Sequence, residues 1–161
     1  MAFARPGSAR PVFLAVIAVI AADAWLCEVQ YRVERGYGLF SRDPVREVAA
    51  QVAAVAGPRG DAFIANYHPS VYVMAGVRVA TRFPFPAHLT GPFEDLSDTN
   101  TEAELDRVLA SRPKVIVVDR GWMQNMRPTA AAQVMAAVSQ GYELAASVNE
   151  IRGPVEIYRA K

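Results

Sequence analysis

Two short stretches of this chain hold side chains able to move a proton or grip an anion: Asn66-Tyr67-His68 and Asp119-Arg120-Gly121-Trp122. His68 is of the type that serves as a general base, and Asp119 is the carboxylate that could orient its imidazole. Tyr67 and Trp122 add ring faces, and Arg120 adds a permanent positive charge. A second set, Arg82 and His88 with Phe83 and Phe85 between them, makes an aromatic and basic loop. It is suited to lipid headgroups or to an anionic lipid-linked sugar. Each set also has a plainer reading. His68 caps the turn begun by Pro69, Asp119 and Arg120 pair with each other, and the Pro-rich loop packs its Phe rings on the core.

Other chemistries find little material here. With one cysteine, Cys27, and two histidines, neither an internal disulfide nor a cysteine- or histidine-rich metal site can be built. No glycine-rich phosphate loop follows a strand, neither GxSxG nor HExxH occurs, and no cofactor is indicated. Asp98 to Glu102 begins like a calcium loop. Ala103 then stands where the sharp turn needs Gly, and Leu109 where a bidentate Glu is required. Lys and Arg total 17 against 16 Asp and Glu, a formal net charge of +1. That balance offers no basic field for a nucleic acid backbone.

The candidate residues must be positioned by the elements around them. Asp43-Pro44 opens a helix with a capping side chain and a proline at the first turn. Val45, Val48, Val52 and Val55 give it one apolar face, and Gly57-Pro58 stops it. Ala62 to Tyr67 reads as a strand, followed by a helical turn ending at Gly76 and a strand from Val77 to Thr81. Thr101 and Glu104 have the spacing of a capping box, with Leu105, Val108 and Leu109 as the buried stripe behind it. Val115 to Val118 is wholly apolar and β-branched, which predicts an interior, parallel strand. A helix over Thr129 to Gln140 follows. Tyr142 to Val148 and Val155 to Tyr158 then close the domain as an antiparallel hairpin through Arg152-Gly153-Pro154. The expected fold is α/β, a mostly parallel sheet flanked by helices with a terminal hairpin. In such sheets ligands bind outside the carboxyl ends of parallel strands, where Tyr67, His68, Asp119, Arg120 and Trp122 fall.

Ahead of this domain, 43–161, lies a segment of different character. Arg5 and Arg10 in the basic flank 1–10 precede an unbroken apolar run from Pro11 to Ala22, which Trp25, Leu26 and Cys27 continue beyond Asp23. A spanning helix needs ~20 apolar residues, with a lower limit near 17. Residues 11–35 therefore read as a transmembrane helix or signal anchor, with Trp25 and Tyr31 as interfacial aromatics. A cleaved secretory signal, ending at Ala22-Asp23-Ala24, and a core helix are the alternatives. Arg32, Arg35, Arg42 and Arg46 follow the segment, so counting basic residues keeps the domain inside.

The order of motifs resembles a known family. His68-Pro69-Ser70-Val71-Tyr72, Ala75-Gly76-Val77-Arg78 and Thr81-Arg82-Phe83 carry the likeness, with Arg112 to Val118, Gly141-Tyr142-Glu143-Leu144 and Val155-Glu156-Ile157-Tyr158. Together they are similar to the soluble C-terminal domain of the dolichyl-phosphate-mannose protein mannosyltransferase and aminoarabinose transferase superfamily of membrane glycosyltransferases. The likeness covers Asp43 to Arg159, with Pro11 to Tyr31 as the last membrane helix. It implies a polyprenyl-phosphate-linked sugar donor and an extracytoplasmic domain. The family's catalytic carboxylate lies in an early loop between membrane helices that this sequence does not contain, so no catalytic residue transfers. The expectation is the C-terminal portion of such a transferase, non-catalytic by itself and partnered by membrane lipid, a lipid-linked sugar or the transferase's transmembrane part. The alternative is a free-standing, membrane-anchored binding module.

Overall fold

The computed structural model describes residues 9–34, 43–95 and 99–161. The flank before residue 9, Arg35, Arg42 and Asp98 lie outside the described residues. The chain divides into a first unit that carries helix α1 and a second, Arg42–Lys161.

Helix α1 is Ala9–Glu34. Its stretch Val12–Glu34, 23 residues that include an 18-residue window of mean hydropathy 2.2, is long and apolar enough to cross a membrane. At 1.5 Å per residue it measures about 35 Å, against about 30 Å of bilayer hydrocarbon. Phe13, Leu14, Ile17, Ile20 and Leu26 stand exposed all round the helix rather than along one stripe, a distribution that suits lipid on every side. A membrane span and a secretory signal both meet this description.

The second unit is a three-layer sandwich. Its helices are α2 (Pro44–Ala56), α3 (Ser70–Ala75), α4 (Thr101–Ala110) and α5 (Pro128–Gly141). Its strands are β1 (Asp61–Ile64), β2 (Arg78–Val79), β3 (Val115–Asp119), β4 (Tyr142–Glu150) and β5 (Gly153–Ala160). Short 3-10 turns cover Pro86–His88 and Arg120–Asn125. The sheet order is β2-β1-β3-β5-β4. Alternation along each strand splits the core in two. Ala62, Ile64, Val115, Val117 and Ile157 pack against α2 and α3, while Phe63, Ile116, Val118 and Tyr158 pack against α4 and α5.

The sheet is mixed, which corrects the mostly parallel expectation. β1 runs parallel to β2 and β3, but β3 and β4 each run antiparallel to β5. All five residues of β3 are buried, as the apolar run predicts. Burial on both faces demands an interior position but leaves the direction of each neighbour open. The terminal hairpin inserts β5, rather than β4, beside β3.

A second correction concerns α4. Thr101 is not its cap: Asn100 is, its side chain accepting from the Ala103 N–H at 2.8 Å. The Thr101 hydroxyl instead accepts from the Asp95 N–H, and the Glu104 carboxylate accepts from the Thr81 hydroxyl and Arg107. Asn is as good a cap as Thr, and Glu104 gains more from a guanidinium than from a backbone amide. The capping of α2 by Asp43, which accepts from the Val45 N–H at 3.0 Å, is as read from sequence.

Candidate functional site

β1 ends at Ile64 and β3 at Asp119, and the Asn66 side chain ties the two strand ends together. Its side-chain amide donates to the Asp119 carbonyl at 2.8 Å and accepts the Asp119 N–H at 2.8 Å. One buried side chain thus completes both backbone groups of the residue that ends β3. The Asp119 side chain turns back to accept the Gly121 N–H at 2.8 Å, which starts the Arg120–Asn125 turn. Burial holds its carboxyl above the ordinary value, and the Glu150 charge adds to this; the Gly121 and Trp122 amides and His68 act against it.

Around this pair stand the other residues read from sequence. Tyr67 is buried, and its hydroxyl donates to the Glu150 carboxylate at the tip of the β4–β5 hairpin. Burial, then the Glu150 bond, pushes the phenol up, so Tyr67 stays neutral and acts as a donor. His68 is exposed, and the Tyr67 ring meets it edge-on at 4.9 Å. The His68 backbone carbonyl, not its ring, accepts the Val71 N–H at the start of α3. Among the described residues no hydrogen bond joins His68 to Asp119. Trp122 is half-buried, with the Arg152 guanidinium 3.9 Å from its ring centroid.

Arg120 does not pair with Asp119, which corrects the plainer sequence reading. It donates to Glu156 and, at 2.9 Å, to the Tyr158 hydroxyl. Adjacent residues at a strand end point to opposite sides of the sheet, so Arg120 reaches Glu156 and Tyr158 on β5 while the Asp119 carboxylate accepts the Gly121 N–H.

Arg82 and His88 belong to a second loop at the same end of the sheet. Thr90 anchors it, donating from its hydroxyl to the Ala65 carbonyl just past β1. The buried Arg127 grips the Leu89 and Gly91 carbonyls, each at 3.1 Å. Arg82 is exposed; its guanidinium lies 5.1 Å from the Phe83 ring and donates to Thr99. His88 lies between Phe85 and Phe93, 5.9 and 6.1 Å away. Phe83 packs on the core, as the plainer reading has it, whereas Phe85 remains exposed.

The structure therefore gathers Tyr67, His68, Asp119 and Trp122 at one end of the sheet and turns Arg120 aside. It adds Asn66, Glu150 and Arg152, to which sequence reasoning gave no role. Glu150 is 83 residues from Tyr67, and no local pattern marks that approach. Gly121 offers a trace in retrospect: a Cβ there would stand 2.5 Å from the Arg152 carbonyl oxygen, so the hairpin needs glycine beneath it. Among the described residues no group of three or more His, Cys, Asp or Glu is placed to hold a metal ion. The polar groups mostly satisfy one another, leaving the imidazole, the indole and the exposed guanidinia facing outward. That arrangement suits binding. In comparisons with known proteins, no family model, no curated protein and no solved structure matches this chain.

Proposed function

We propose that this chain is a membrane-attached α/β domain serving a glycosyltransferase that uses a polyprenyl-phosphate-linked sugar, with the domain extracytoplasmic and non-catalytic by itself. The observation that carries the reading is the order of parts: a helix able to cross a membrane, eight residues, then an α/β domain. The motifs that carry the family resemblance run through that same domain. The internal pairing of Tyr67 with Glu150 and of Arg120 with Glu156 supports a docking role over a catalytic one. Removing the chain from its source membranes should reduce sugar transfer from a polyprenyl-phosphate donor; undiminished transfer would overturn the reading. Sidedness is read with a membrane-impermeant maleimide on a cysteine placed at Lys114 in a Cys27→Ser background. Labelling of intact cells is expected, and protection would put the domain inside.

A free-standing binding module is the second reading, favoured by the Trp122 ring with Arg152 above it. An indole face beside a cation can receive a sugar ring and its phosphate. It predicts that purified chain binds a polyprenyl-phosphate sugar in liposomes while transfer in its absence stays intact.

A further inference from the structure

Every loop at the carboxyl end of β1 and β3 comes to one face of the domain. The registers fix this: Ile64 pairs with Val117, Asp119 with Val155, and Glu150 with Gly153 at the hairpin tip. The Thr90 and Arg127 bonds tie the loop around Phe85 and Phe93 to the same end. The polypeptide also enters the domain here, because α2 runs from Asp43 back toward the start of β1, and the Asp43 charge acts on Tyr67. Eight residues separate Glu34 from Asp43.

On this face Phe85, Phe93 and Ile151 are each more than half exposed. Phe85 and Phe93 lie in the loop that follows β2, and Ile151 lies at the tip of the hairpin between β4 and β5. Those positions flank a five-stranded sheet about 20 Å wide. The Phe-bearing loop is braced from beneath: the Leu89, Thr90 and Gly91 amides all donate to the Pro86 carbonyl, and Phe93 donates to Ala87. Arg82 and Arg152 lie against Phe83 and Trp122, an arrangement that lets an apolar body sink while the charge stays in water. The charges nearly cancel, since Glu94, Asp95 and Glu150 accompany the two arginines.

We infer that this strand-end face rests on the headgroup region of the bilayer that α1 enters, with Phe85, Phe93 and Ile151 as its apolar contacts. The inference rests on the membrane-attachment reading above, since the polypeptide that follows α1 enters the domain at this same end. Apolar side chains at such an interface sit about 5–10 Å into the headgroup and acyl boundary. With little net charge on the face, the contact persists when salt is raised.

The test uses the full chain with Cys27→Ser, reconstituted in phosphatidylcholine vesicles. A single cysteine at Phe93, Ile151 or, at the far end of the sheet, Lys114 carries an environment-sensitive fluorophore. Nitroxide lipids quench it from just below the headgroups. The labels at 93 and 151 should shift to the blue and be quenched, in low and high salt alike, and the label at 114 should do neither. In a Phe85→Ala background, with folding checked by circular dichroism, quenching at 151 should fall. Equal response at all three positions in a chain that resists carbonate extraction would overturn the docking and leave membrane attachment standing. Release by carbonate would overturn both. A blue shift that depends on protein concentration but not on nitroxide lipid would assign the face to a second copy of the chain, and loss of the signal at high salt would reject apolar docking.

Discussion

Asp119 and Glu104 are both buried carboxylates, and the structure drives them in opposite directions. Burial raises Asp119, so its contribution to stability is present below the ordinary carboxylate range and is lost as pH rises through the raised value. Asp119→Asn keeps an oxygen to accept the Gly121 N–H while removing the desolvated charge. The variant is expected to match or exceed the parent in urea midpoint at neutral pH, with the advantage shrinking in acid; lower stability at every pH would refute this. For Glu104, the Arg107 guanidinium and the Thr81 hydroxyl outweigh burial and hold the carboxyl at about 2, against an ordinary 4.5. Its contribution is present above the ordinary value and is lost as pH falls toward about 2. Acid titrations of Glu104→Gln should lose that part of the pH dependence. The sequence placed Asp119 at a strand end because four β-branched residues precede it. It could not mark Glu104 as buried, because Thr81, which donates to it from just past β2, is brought there only by folding.

At the level of elements, the hairpin that covers Gly121 makes a sharp prediction. Gly121→Ala would drive a methyl into the Arg152 backbone; overpacking of this kind costs about 1–3 kcal/mol, read as a lower urea midpoint. Asn66→Ala should cost about 2–3 kcal/mol or more, because it strips partners from two buried backbone groups of Asp119 at once. A change below half a kcal/mol in either variant would show that the strand ends rearrange freely. These elements also show where reading the sequence succeeds. Capping and periodicity located α2 and α5, since proline, Asp43 and the valine spacing act within one turn. β1 was read through Tyr67 yet ends at Ile64, because Asn66 leaves the ladder to hold Asp119 and the Tyr72 hydroxyl takes the Ile64 N–H. The direction of β5 was likewise hidden, since it is decided by the strand beside which the hairpin inserts.

For the whole molecule, helix α1 is the segment long and apolar enough to cross a membrane. Ile17→Arg puts a charge near the middle of the apolar stretch, at a cost of ~2.5–3.5 kcal/mol for a spanning helix. A marked drop in carbonate-resistant protein is expected, and unchanged partitioning would contradict a span. The sheet order adds a consequence for biosynthesis. β5, the final strand of the domain, lies between β3 and β4. Until Gly153–Ala160 has been made, β3 lacks one neighbour and β4 lacks its partner. The apolar β3 therefore keeps an open edge while most of the domain has already left the ribosome. Placing the latest strand in the interior thus delays closure of the sheet until the whole domain has been synthesised.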